Sequence, residues 1–215
     1  MESLENKQLF GILLLMTEQA AFRAPRQDNR RRQLLAAAAR RLAHQGFRAT
    51  TIRDIAGDAG MLPGSLYYHF ASKNDLLLAV YEEGVRRIAA NVDRAVAGAA
   101  NPWARLEAAC AAHLETVLDH SDYAQVIVRV LPQDAPEVSD RLITLRDAYE
   151  GRFKRLVDDL ALPGPSDRRN LRLLLLGALN WSQVWYRPGG DTPAALARSF
   201  TGYIKHALDE AQEAR

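Results

Sequence analysis

Along nearly the whole chain, apolar residues recur at spacings of three and four, and this regularity narrows the possible folds more than any other feature. The strict alternation that marks half-buried strands is almost absent, and Gly and Pro fall between the periodic segments. The pattern predicts an all-α protein with helices near 28–44, 51–58, 62–69, 73–98, 102–119, 122–130, 137–160, 167–186 and 193–211. Several starts carry a physical marker. Asp28, Thr51, Ser72 and Asn101 are N-cap residue types, whose side-chain oxygens accept from unpaired N–H groups of the first turn, and Pro102 suits a first helical position. Pro132 and Pro136 end one helix and prepare the next, while 162–166 (LPGPS) and 188–192 (PGGDT) read as connecting loops.

Composition excludes several alternatives. With 48% hydrophobic and 25% charged residues among 215, the chain is globular rather than disordered. Its net charge of +2 is unevenly distributed: Arg26–Asp75 carries nine basic residues against four acids, leaving a mildly acidic rear. A basic front on a neutral body fits a module that faces nucleic acid. The single cysteine, Cys110, forbids an intrachain disulfide, reads as an inert core thiol and agrees with a cytoplasmic protein. Leu9–Met16 is far too short to span a bilayer, which needs about 20 apolar residues, so no membrane partner is expected. Residues 1–25 read as an N-terminal extension, 26–78 as one domain and 79–215 as another, divided along the long fourth helix near Tyr81–Ala90. There is no phosphate-cradling Gly loop, nucleophile-elbow Ser, helical His-Glu-x-x-His or convincing carboxylate cluster. Neither an enzyme nor a cofactor is expected. His113 and His120, seven apart, share a helical face but lack a carboxylate at metal-ligand spacing, so no metal site is expected either.

The informative stretch is 46–78, GFRATTIRDIAGDAGMLPGSLYYHFASKNDLLL. A short helix from Thr51 puts Ile52, Ile55 and Ala56 on one face. Ala59-Gly60-Met61 makes a tight turn in which Gly60 can take positive φ. A second short helix follows, with Leu66 and Phe70 spaced to pack against the first. Two short helices joined by a Gly-containing turn form a helix-turn-helix, whose second helix enters the major groove. Its outward chemistry suits that task. Pro63 opens the helix, and Gly64 and Ser65 are small enough for close approach. Tyr67, Tyr68 and His69 offer donors, and Lys73 adds a charge one turn later. Thr50 and Thr51 make a candidate phosphate clamp, and Arg53 can reach a guanine.

Read as one string, Thr50, Ile55-Ala56, Ala59-Gly60-Met61, Ser65-Leu66-Tyr67, His69-Phe70 and 72–76 (SKNDL) closely resemble the pattern of tetracycline-repressor (TetR) type regulators over about fifty residues, Arg30 to Leu78. The resemblance implies an N-terminal three-helix helix-turn-helix domain and a C-terminal helical domain for ligand binding and dimerisation. It also implies DNA contacts from Thr51, Ser65, Tyr67, Tyr68, His69 and Lys73. Two departures stand out. Gly57 inside a helix costs about 1 kcal/mol relative to Ala, and Leu62-Pro63 replaces the small polar residue common in relatives, so base preference there does not transfer.

Behind the motif the resemblance reduces to architecture. Leu171–Trp185 is too apolar to be solvated on any face, and Gly177 and Ala178 would let a partner helix approach closely. The family architecture makes this helix and Ala194–Leu208 a homodimer interface, an intrachain core being the alternative. The segment 179–190, LNWSQVWYRPGG, resembles relatives that repress fatty-acid or steroid-ring degradation and respond to acyl-CoA thioesters. That implies a small hydrophobic effector, with Trp181, Trp185 and Arg187 near a CoA end, although both tryptophans also suit an interface or a core. The expectation is a repressor that binds a palindromic double-stranded operator as a dimer and is released when ligand moves the fourth helix. The alternative is an activator or architectural DNA binder without an effector.

Overall fold

The structure, a computed structural model, describes residues 29–162 and 165–213. The expected Asp28 cap, the extension 1–25 and part of the 162–166 loop lie outside the described residues. Regular structure among the described residues is helical throughout. In chain order the helices are α1 (29–49), α2 (Ile52–Asp58), α3 (Pro63–His69), α4 (Lys73–Ala97), α5 (Pro102–Leu118), α6 (Asp122–Arg129), α7 (Ser139–Asp158), α8 (Pro165–Trp185) and α9 (Pro193–Glu213). Two 3₁₀ turns, Pro132–Asp134 and Pro136–Val138, carry the chain from α6 to α7, each opened by the proline that ends the preceding run. The first helix outlasts expectation, reaching residue 49 with Gly46 left-handed (φ 76°) near its end. The caps act as anticipated: Thr51, Ser72 and Asn101 accept from the backbone N–H groups of Asp54, Asp75 and Ala104.

Two hydrophobic cores lie along the molecule. The front core gathers α1 (Leu34, Leu42), α2 (Ile55), α3 (Leu66, Phe70) and the first turns of α4 (Leu76, Leu77), with Val126 and Val130 reaching in from behind. The rear core is built around α5, whose Leu106, Ala109, Cys110, Leu114 and Val117 recur at helical spacing and meet α4, α7, α8 and α9. Each large apolar side chain here is costly to truncate: Leu114→Ala should lose about 2–5 kcal/mol. Cys110 is fully buried and its thiol is pushed far up by that burial, so it is inert packing.

Helices α4 and α6 belong to both cores. Helix α4 gives Leu76–Tyr81 to the front and Ile88, Ala89 and Val92 to the rear. Helix α6 lies against it at Gly84, where an added Cβ would stand 2.9 Å from Ile127 Cδ1 and 3.1 Å from the Tyr123 carbonyl. Only glycine permits that approach. Helix α6 also reaches α1, as Arg129 donates to the Ala43 carbonyl at 3.2 Å. No helix among the described residues is long and apolar enough to cross a membrane.

Candidate nucleic-acid interface and ligand cavity

The front unit is fastened from several sides. Arg41 of α1 grips Asp58 of α2 with two hydrogen bonds, 2.5 and 2.7 Å, and that contact holds the Asp58 carboxyl below the usual range. Thr51 and Asp54 cap α2 reciprocally: the Thr51 hydroxyl accepts from Asp54 N, while the Asp54 carboxylate accepts from Thr51 N at 3.2 Å. Gly60 takes φ 65° in the turn, the left-handed conformation its position requires, and Met61 N closes the turn on the Ala56 carbonyl. Leu66 (0% exposed) and Phe70 (6%) then anchor α3 on its inner side.

The opposite side of α3 is left open. Gly64, Ser65, Tyr67 and Tyr68 are exposed, the two tyrosines at 56% and 76%, and Pro63 and His69 are half-buried. Tyr68 and His69 meet edge to face at 5.3 Å. No atom of the described residues lies beside Gly64, so among them nothing obstructs close approach of another molecule. Arg53 and Thr51 are exposed on the neighbouring α2 end.

Two expected contacts are placed differently. Thr50 is 1% exposed and donates its hydroxyl to the Gly46 carbonyl at 2.8 Å, so it is a fold contact rather than half of a phosphate clamp. Lys73 Nζ donates to the Phe47 and Thr50 carbonyls at 2.8 and 3.0 Å and lies 4.2 Å from the Phe47 ring centroid. It clasps the end of α1 to the start of α4, where unpaired carbonyls and the helix dipole favour a cation; an ammonium has three N–H donors, and these bonds use two.

Behind the front unit α4 to α8 enclose a cavity of about 420 Å³. Its wall is mainly apolar: Val85 and Ile88 from α4, Val117 from α5, Ile127 and Val128 from α6, and Leu176 from α8. Polar groups enter from one side, with His113 of α5 bonded through Nδ1 to the Tyr149 hydroxyl of α7 at 2.7 Å. Arg146 and Glu150 of α7 and Asn180 and Gln183 of α8 complete that side. Glu150 in turn faces Arg172 at 4.0 Å, in a basic cleft with Lys154, Arg168 and Arg169.

Of the three residues assigned to a ligand, Trp181 lines the cavity while being 65% exposed. Trp185 stands outside the cavity wall, edge-on to Phe200 of α9 at 6.2 Å. Arg187 lies beyond the end of α8 and folds back onto the Val184 and Tyr186 carbonyls, where the helix C-terminus attracts it. The cation beside the cavity is instead Arg146. The two histidines do not share a face, because α5 ends at Leu118 and His120 sits exposed in a left-handed loop position (φ 53°).

Helices α8 and α9 carry an apolar stripe left exposed by the described residues: Leu173, Leu174, Trp181, Val184 and Trp185, with Tyr203 of α9 74% exposed. No atom of the described residues stands next to Gly177 within the stripe. Sequence reasoning missed the His113–Tyr149 pair as a feature of the cavity. The available signal was a polar residue on the otherwise apolar face of α5.

Comparison with known proteins agrees with this geometry. Residues 34–80 match the model of the bacterial regulatory proteins of the tetR family, and 99–208 match the tetracyclin repressor-like C-terminal domain. The chain is 33% identical to the HTH-type transcriptional repressor KstR2 of Mycobacterium tuberculosis over 78% of its length and 86% of the relative's. It is 37% identical to the HTH-type transcriptional activator FasR of Mycolicibacterium smegmatis, covering 86% and 84%. Among solved structures, AibR in complex with isovaleryl coenzyme A and operator DNA superposes with a TM-score of 0.69 at 25% identity, over 81% of this chain and 97% of that one. An all-helical fold with a short helix held outward behind a Gly turn, and family models matching both its front and its rear, make this chain a member of the TetR family of transcriptional regulators.

Proposed function

We propose that the protein is a ligand-responsive transcriptional repressor that binds a palindromic operator as a homodimer and leaves it when a small hydrophobic effector fills the rear cavity. The observation that carries this reading is the outer side of α3, where Gly64, Ser65, Tyr67 and Tyr68 stand exposed while Leu66 and Phe70 hold the helix from within. Those four, with Pro63, His69, Thr51 and Arg53, form the DNA face: small residues for close approach, and hydroxyl, imidazole and guanidinium donors for phosphates and base edges. Lys73 supports the face and adds its remaining N–H. The DNA-binding domain is 26–78 and the ligand-binding and dimerisation domain 79–215, with α4 common to the working of both.

The stripe on α8 and α9 is the dimer interface. It is apolar, open, and made of the elements that a second copy would meet in a four-helix arrangement. Two copies so joined would present their α3 helices to successive major grooves, about 34–36 Å apart. The cavity suits an effector in size and in its apolar wall. AibR was crystallised with an acyl-CoA and operator DNA, which makes an acyl-CoA the candidate here. Because α4 lines the cavity and Lys73 at its start clasps α1, ligand that shifts α4 changes the spacing of the DNA faces. The shift is only as large as the difference in ligand affinity between the two states. A second reading, an activator, has a specific observation behind it in the likeness to FasR.

Selection of duplexes from a randomised library by the full-length chain tests the proposal. The expected product is an inverted repeat with half-sites about one helical turn apart. Absence of enrichment, or enrichment of single half-sites bound by a monomer, would overturn it.

A further inference from the structure

The cavity contains a polar group that the fold leaves unsatisfied. His113 is 2% exposed and lines the cavity; its Nδ1 meets the Tyr149 hydroxyl, but its Nε2 has no hydrogen-bond partner among the described residues. Phe153 packs edge-on to the ring at 5.8 Å and fixes its orientation. Burial pushes the imidazole down to about 4, so it is neutral near pH 7 and one nitrogen carries a proton. The phenolic proton of Tyr149 needs an acceptor, and Nδ1 is within reach of it. That arrangement places the ring's own proton on Nε2, whereas the other tautomer leaves the phenolic proton and the Nε2 lone pair both unmet. The Asn180 side chain acts on the ring as a hydrogen-bond acceptor would, favouring its protonated form, but falls short of hydrogen-bond geometry at Nε2. Buried donors are rarely left without acceptors. Here the missing acceptor belongs where a ligand would sit.

We infer that His113 Nε2–H is the polar anchor of the cavity's ligand, and that this ligand is an apolar molecule bearing an uncharged carbonyl oxygen. The inference rests on the reading of the cavity as the effector site and deepens it by naming the group recognised there. A neutral imidazole offers a carboxylate no counter-charge, and the Arg146 cation on the wall is matched there by the Glu150 carboxylate, while a carbonyl oxygen accepts one N–H bond and takes the rest of its surroundings from the apolar wall. Tyr149 is the positioning residue that sets the tautomer.

The test compares 2-decanone with decane, both delivered from cyclodextrin to the full-length protein and followed by tryptophan fluorescence, since Trp181 lines the cavity. The ketone should bind about ten-fold more tightly. His113→Asn keeps a partner for Tyr149 but has no group at the Nε2 position, and should abolish the preference. His113→Gln, whose amide reaches that position, should restore part of it. Should His113→Asn fail to fold, ¹⁵N-histidine NMR of the wild-type protein decides the matter: the Nε2–H signal should move with ketone and stay with alkane. A second pair, decanoyl-CoA and the thioether S-decyl-CoA, differs only in the carbonyl oxygen; the same preference there assigns the carbonyl to a thioester, and its absence to a free ketone or aldehyde. Equal binding of ketone and alkane with an unmoved Nε2 signal overturns the anchor and leaves the cavity reading standing. If none of the four probes enters, both fall.

Discussion

The front and rear of this molecule solve opposite problems. In the helix-turn-helix unit nearly every polar group that fixes the backbone has an intrachain partner: the Thr51–Asp54 cap, the Arg41–Asp58 fork and the Lys73 clasp close around α2 and α3. The rear keeps a hole, an orphaned Nε2 in that hole and an uncovered apolar stripe on α8 and α9. A region that satisfies itself presents one rigid surface, whereas a region with unmet groups is completed by other molecules. In the proposed function this difference means that rigidity serves recognition of DNA and incompleteness serves regulation.

The comparison breaks most visibly at the stripe. Leu174→Glu combined with Val184→Glu puts two charges where a second copy should pack, and should convert dimer to monomer by light scattering and weaken binding of the selected duplex at least about 100-fold. A dimer that survives both charges would place the interface elsewhere. Next in size is a contrast within the front unit. Tyr67→Ala should lower duplex affinity on the order of ten-fold with an unchanged unfolding midpoint, because Tyr67 is exposed and holds nothing together. Lys73→Met should instead cost about 2 kcal/mol of stability, since it removes two charge-assisted bonds to carbonyls. Equal stability loss in both variants would erase the distinction between reading and holding.

The rear also predicts a pH dependence. The His113 folded value, about 4, lies below its ordinary 6.5, so between those values the unfolded chain binds more protons. Stability should therefore fall as pH drops from 6.5 to 4, by at most about 1.4 kcal/mol per unit. Urea titrations of His113→Gln should show a flatter profile over that window; parallel profiles would mean that the ring is not buried as described. The smallest expected effect belongs to Glu83, which accepts from Arg86 and Arg87 and is held down to about 2. A depressed carboxylate stabilises above its ordinary 4.5 and loses that contribution as pH falls toward 2. Glu83→Gln should cost about 0.5–1 kcal/mol at neutral pH, the partners being half-exposed or more, and nothing below pH 2.

Much of the front was legible because its signals are local. Caps, the Gly60 turn and the outward residues of α3 each depend on neighbours a few positions away, and the later helices end within two residues of the sequence reading. The Lys73 clasp was not legible for the converse reason: it joins positions 23 and 26 apart, which no local pattern encodes. The cavity was still less visible. His113 and Tyr149 are 36 residues apart, and the wall is assembled from five helices whose apolar residues look like ordinary core in one dimension. Trp181, singled out through the likeness of 179–190 to acyl-CoA-responsive relatives, does line the cavity. Trp185 and Arg187 went to the α9 contact and the helix end instead, which is tertiary information.

In the proposed mechanism cavity and DNA face communicate through α4, against which α6 packs. Val128 lines the cavity from α6 and is half-buried, so Val128→Trp fills part of the space without any added ligand. Fluorescence anisotropy of the selected duplex against this variant is the most direct test. Affinity at least about ten-fold below wild type, at an undiminished unfolding midpoint, is the predicted result. Wild-type affinity with the cavity occupied by the indole would contradict it.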